Sequence, residues 1–165
     1  MKRFVVACCL MVLVIWLKGC GTTPTSPEPK AVPLFVSTGE DLNPHIDNQA
    51  QSVDLLIFYL TSPHKFTDAD LTSLYPLDKA ALTLGADLVD SQLIRVAPGA
   101  QQLQVLQVDP RTRHLGVVAA FEQYHRADWR DIVQLRDDSA LDKVLFRNKN
   151  LNVTLTGLEI TASLD

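Results

Sequence analysis

Residues 52–60, SVDLLIFYL, are almost continuously hydrophobic, with Asp54 as the single charge. A helix with one buried stripe carries polar residues on the turns between, whereas a strand covered on both faces does not. Nine residues is also a strand's length, and Val53, Ile57, Phe58 and Tyr59 are β-formers. The stretch predicts a strand buried on both faces, or nearly so.

The flanking sequence keeps the two-residue period. Upstream, Val32, Leu34 and Val36 lie on one face of a first candidate strand, and Gly39 to Gln51 (GEDLNPHIDNQAQ) forms a polar loop before the second. Downstream candidates are Gln92–Val96, Gln101–Val108, Leu115–Glu122, Lys143–Arg147, Leu151–Thr156 and Glu159–Leu164. Gln101 to Val108 alternates at Leu103 and Val105, with Gln102 and Gln104 between them. Pro98-Gly99 and Asp109-Pro110 supply turn chemistry between runs. One interruption is helical. Thr67 reads as an N-cap with Asp70 three residues on, and Leu71, Leu74 and Tyr75 form an i, i+3, i+4 stripe. Pro76 ends that helix, and a short turn from Asp78 to Leu84 is closed by Gly85. Ala127 to Leu135 reads as a short helix or ordered loop. No internal repeat is present. The expected class is mainly β, a β-sandwich with a small helical insertion between its early strands.

The amino terminus has a different composition. Met1-Lys2-Arg3 is basic, Phe4 to Leu17 is apolar throughout, and Leu17-Lys18-Gly19-Cys20 resembles a lipobox, where a bacterial signal peptide is cut and the cysteine carries lipid. Fourteen apolar residues are fewer than the ~18–20 that span a bilayer. An uncleaved anchor or an ordinary secretory signal are the alternatives. The expected division is a signal peptide at 1–19, a lipidated Cys20 with an extended tether to residue 30, and a β-sandwich domain over 31–165. The tether, GTTPTSPEPK from Gly21 to Lys30, has three prolines and no apolar residue. Cys8 and Cys9 fall in the removed segment, leaving Cys20 with no thiol to pair with. Gly21 in place of Asp favours sorting to the outer membrane. Cleavage removes Lys2, Arg3 and Lys18 of the 15 basic residues, leaving 12 against 19 acidic, a formal net of −7. That balance lacks the basic face that nucleic-acid binding requires, so no nucleic-acid partner is expected.

Catalytic constellations are missing: there is no nucleophile elbow, phosphate loop, HExxH or Cys-Cys spacing. His45, His64, His114 and His125 are scattered, so neither metal nor cofactor is expected and the chain does not read as an enzyme. Trp129-Arg130 has the residue types of a binding hot spot, but one Trp in a small domain normally packs, with Arg130 snorkelling or pairing with Asp128 or Asp131.

In sum these features resemble the type VI secretion outer-membrane lipoproteins of the TssJ (SciN, VasD) family. The residues carrying the resemblance are Cys20; Leu42-Asn43-Pro44; Ile57 to Ser62; Phe66, Ala69-Asp70 and Leu74; Leu84 to Leu88; Val96 to Gly99; Leu115 to Phe121; and Trp129-Arg130. Lys18 and Glu122 depart from the pattern. The resemblance implies a transthyretin-like β-sandwich on the periplasmic face of the outer membrane. It implies a non-enzymatic role, tethering the periplasmic C-terminal domain of TssM within a TssJ–TssL–TssM complex. In that family the loop between the first two strands is tied to TssM binding, which here assigns Leu42, Asn43, Pro44, His45, Ile46 and Asp47 as partner-binding residues. On the residues alone, Leu42, Pro44 and Ile46 are apolar in an exposed segment, while the competing reading folds Leu42 and Ile46 under the loop as a satellite core. A periplasm-facing lipoprotein that binds a small ligand is the alternative function.

Overall fold

The computed structural model describes residues 28–135 and 149–165. The expected signal peptide, Cys20, most of the expected tether and the candidate strand Lys143–Arg147 lie outside the described residues.

Among the described residues, eight strands form two four-stranded sheets. In chain order they are β1 (Lys30–Thr38), β2 (Val53–Leu60), β3 (Leu88–Val96), β4 (Gln101–Val108), β5 (His114–Ala119), β6 (Arg130–Gln134), β7 (Leu151–Thr156) and β8 (Glu159–Leu164). One sheet has the order β4-β1-β7-β8 and the other β3-β2-β5-β6. Between these strands every pairing is antiparallel except β1 with β7, and an isolated parallel bridge joins Asp128 to Glu159. The mainly-β sandwich is therefore present, with three short helices, α1 (His64–Asp68), α2 (Leu71–Leu74) and α3 (Leu77–Leu84), inserted between β2 and β3.

The reading of residues 52–60 is explained by what covers each face of β2. Val53, Leu55, Ile57 and Tyr59 join the core between the sheets, with Val32, Leu34 and Val36 of β1 opposite. Leu56, Phe58 and Leu60 point the other way, into a second core roofed by Phe66, Leu71, Leu74, Ala80 and Leu84 of the helices. A strand sandwiched between a sheet and a helical layer has no solvent face, and so no polar alternation. Gly116 of β5 lies under that roof. A Cβ there would sit 2.6 Å from Phe66 Cζ, and Phe66 is itself 1% exposed and tilted against Phe58 at 5.7 Å between centroids. Gly116→Ala should cost about 1–3 kcal/mol through overpacking, read as a lower thermal midpoint. An unchanged midpoint would mean that the helical roof is not rigidly seated.

Three local expectations are corrected. Ala127 to Leu135 is neither helix nor loop over most of its length. A 3-10 turn spans Tyr124–Arg126, and Arg130–Gln134 is the edge strand β6. The cap also moves. Thr67 lies inside α1 and bonds back to the Pro63 carbonyl at 2.9 Å, while Asp70 is the N-cap of α2 and accepts from the Ser73 N–H at 2.9 Å. Pro76, after a cis peptide bond, starts α3 instead of only ending the previous helix, and Gly85 closes α3 at φ 55°. Finally, β4 alternates as expected, but Leu103 and Val105 are the exposed phase, at 63% and 56%. Gln102 and Gln104 take the half-buried phase, and Gln104 accepts from Gln92 Nε2 at 3.2 Å.

Candidate loop surface at the end of the sandwich

The polar loop after β1 is built on two buried residues. Leu42 is fully buried among the core side chains, and Asn43 is 4% exposed in a left-handed conformation at φ 47°, which asparagine tolerates. The expectation that Leu42 is exposed is therefore overturned; it belongs to the main core and not to a satellite core shared with Ile46, which is exposed. Asn43 saturates its surroundings. Its N–H donates to the Gly157 carbonyl at 2.8 Å, its Nδ2 to the Ser52 carbonyl at 3.3 Å, and its Oδ1 accepts the Glu122 N–H at 2.9 Å.

Beyond this root the loop rises into a tight turn. The Asn48 N–H bonds the His45 carbonyl at 2.9 Å, placing Ile46 and Asp47 at the two central positions, and Asn48 takes φ 62°. The His45 N–H bonds the Gln49 carbonyl at 2.9 Å, and Asp47 accepts the Gln49 N–H at 3.1 Å. The result is a stiff tip on which Ile46 is 87% exposed. Pro44 and His45 are half-buried between root and tip.

A segment that sequence reasoning missed holds the loop from the side. Gln123 Nε2 donates to the Pro44 carbonyl at 2.6 Å, and Glu122 Oε2 lies 3.0 Å from His45 Nδ1. These partners sit 77 to 79 residues away in sequence. Their only trace in the sequence is that Glu122 departs from the family pattern. The hydrogen bond and charge of Glu122, helped by Asp47, raise the His45 pKa above its ordinary 6.5. The folded value exceeds the unfolded one, so the latch is fully present below about pH 6.5 and is lost as pH rises through the raised value. A titration of the His45 imidazole by NMR should give a value above 6.5, and Glu122→Gln should lower it. A value unchanged by that substitution would contradict the latch.

Trp129 and Arg130 pack instead of standing free. Trp129 is partly buried against both cores. Arg130 lies 4.8 Å over its ring and donates Nη1 to the carbonyls of Phe66 (3.0 Å) and Ala69 (2.5 Å), capping the end of α1 in place of the expected snorkelling or pairing with Asp128 or Asp131. Tyr75 makes a second tie, donating its hydroxyl to Asp54 at 2.9 Å while Arg95 Nε donates to the other Asp54 oxygen at 2.8 Å. Among the described residues no group of three His, Cys, Asp or Glu side chains could hold a metal ion. His114 opens β5 and His125 lies past its other end, so the two do not converge. No helix among the described residues is long and apolar enough to cross a membrane.

The family described as type VI secretion lipoprotein, VasD, EvfM, TssJ (T6SS-SciN) matches residues 30–158. Solved structures agree. The T6SS lipoprotein TssJ1 from Pseudomonas aeruginosa is 28% identical over 83% of this chain and 97% of its own, at a TM-score of 0.71. Serratia marcescens Lip, described as a membrane-bound component of the type VI secretion system, is 22% identical over 82% and 96%, also at 0.71. A chain from the structure described as the T6SS protein TssM C-terminal domain from EAEC is 19% identical over 81% and 98%, at 0.62. No curated protein matches.

Proposed function

The chain belongs to the type VI secretion lipoprotein family that includes VasD, EvfM and TssJ, and from that premise we propose that it tethers the periplasmic C-terminal domain of TssM to the outer membrane. The observation that carries the reading is Ile46, a large apolar side chain 87% exposed at the apex of a hydrogen-bonded turn. A single exposed apolar residue is common, but one fixed on a loop held at its root by Asn43 and from the side by Glu122 and Gln123 loses little conformational entropy when a partner covers it. Asp47 stands beside it at the apex, and Pro44 and His45 set its height above the root. Leu42 and Asn43 serve the same contact indirectly, by fixing where the turn begins.

The two ends of the sandwich divide the work. The loop follows the last residue of β1, and Cys20 lies ten residues before its first. Nine strand residues, roughly 30 Å, separate the point where the tether enters β1 from the loop, so the tether's attachment leaves the loop free for protein. Signal peptide 1–19, lipidated Cys20 and the tether to residue 30 complete the arrangement, which acts by binding and not by catalysis, within a TssJ–TssL–TssM assembly. The test is capture of the TssM periplasmic domain by the purified lipoprotein. Co-elution at micromolar concentration is expected. Absence of any complex there would favour the small-ligand role instead.

A further inference from the structure

The two sheets differ in what covers their outer faces. The outer face of β3-β2-β5-β6 is roofed by α1–α3, whereas no described element covers the outer face of β4-β1-β7-β8. That bare face has an apolar centre. Phe35 of β1 pairs with Leu103 of β4, and Pro33 with Val105, so the four side chains are contiguous; Phe35 is 43% exposed, Leu103 63% and Val105 56%. Around them the outward positions of β7 and β8 carry only Asn, Thr and Ser until Glu159 at a corner, and Ser37 and Thr154 share a hydroxyl contact of 3.2 Å. Charged residues make up 21% of the chain, yet among the outward strand positions described on this face Glu159 is the one ionisable side chain, joined only by Asp165 just past β8, which accepts from Asn152 Nδ2 at 2.6 Å.

We propose that this face rests on the phospholipid leaflet to which the chain is anchored. The inference builds on lipidation of Cys20. Lys30, the first residue of β1, lies ten positions after Cys20, and an extended span of that length reaches at most ~36 Å. On that reach the lipid keeps Lys30, and with it the end of β1, close to the bilayer. The chemistry of the face suits the interfacial zone: aromatic and aliphatic side chains enter below the headgroups, while hydroxyl and amide groups hydrogen-bond to phosphate and glycerol oxygens. The two carboxylates, Glu159 and Asp165, stand at opposite ends of the β7-β8 ladder, which leaves the apolar centre without charge. This matters because the mature chain is net negative and a carboxylate at the centre would be repelled by anionic lipid. Four side chains bind a surface weakly by themselves, but tethering makes the contact intramolecular and raises its effective concentration. The strands then lie along the leaflet with the helical roof turned away, and the loop carrying Ile46 projects sideways, clear of lipid.

The test uses the full lipidated chain in vesicles of phosphatidylethanolamine and phosphatidylglycerol. A polarity-sensitive label is placed at Leu103→Cys, and in a separate sample at Leu82→Cys, a helical position 87% exposed on the opposite side of the sandwich. Nitroxide-bearing lipid should quench the label at 103 and leave that at 82 bright, independent of the number of proteins per vesicle. Equal emission at the two positions in protein whose mass shows a lipidated Cys20 would overturn the contact while leaving the anchor intact. Protection at 103 that grows with protein density without nitroxide quenching would assign the face to a second copy and overturn it as well. An unmodified Cys20, with protein free of the vesicles, would instead remove the anchor on which the proposal stands.

Discussion

Leu42→Ser should lower stability by about 2–5 kcal/mol, and the thermal midpoint by on the order of 10 °C. The side chain is wholly enclosed in the core between the sheets, so its removal leaves a cavity and brings in a hydroxyl that must find a partner. The same residue anchors both ends of the loop, because its N–H bonds the Gly39 carbonyl at 3.3 Å and its carbonyl accepts the Gln51 N–H at 2.9 Å. Partner capture should fall too, as a consequence of the lost root. Thermal unfolding separates the cases: a midpoint within a degree or two of the parent would mean that Leu42 is not part of the core.

Cys20→Ser should move the protein from the membrane to the soluble fraction. Each buried methylene of an acyl chain contributes about 0.8 kcal/mol, so removing the attachment atom abolishes a hold that no described helix replaces. The sandwich itself should be unaffected, since Cys20 precedes β1 by ten residues. Fractionation alongside a melting curve reads both statements. A variant that stays with the membrane would show that attachment depends on something other than the cysteine.

The parts of the fold that were legible in the sequence are those in which burial leaves a periodic mark. β2 is hydrophobic on both faces because a sheet covers one and helices the other, and Val32, Leu34 and Val36 mark the inner phase of β1. β6 escaped because Arg130–Gln134 carries no such mark. Of its five residues only Val133 is buried, and Arg130 is engaged with the carbonyls of α1. In β4 the period was legible but its phase was not. Alternation says that Leu103 and Gln104 face opposite ways, and tertiary pairing decides which is inside; here the Gln92–Gln104 bond turns the glutamine inward. The helix caps shifted by three residues because Thr67 finds a backbone acceptor within its own helix, leaving Asp70 to start the next.

The loop shows the same division. Composition marked 39–51 as a polar connection with apolar residues in it, but it could not sort Leu42 from Ile46, which are wholly buried and almost wholly exposed. That distinction depends on Glu122 and Gln123, which brace the loop across the end of the sandwich. Long-range latches of this kind leave no local pattern. The partner assignment has a different origin, in family resemblance; of the residues it assigns, Ile46 and Asp47 at the tip are exposed while Leu42 and Asn43 are buried.

The most direct test is therefore the affinity of the lipoprotein for the TssM periplasmic domain, measured by titration for the parent, Ile46→Ser and the control Leu82→Ser. A buried apolar anchor is worth more than about 1.4 kcal/mol, so Ile46→Ser should weaken binding ~10-fold or more with an unchanged thermal midpoint, and Leu82→Ser should bind as the parent does. Equal affinities for all three proteins would contradict the account.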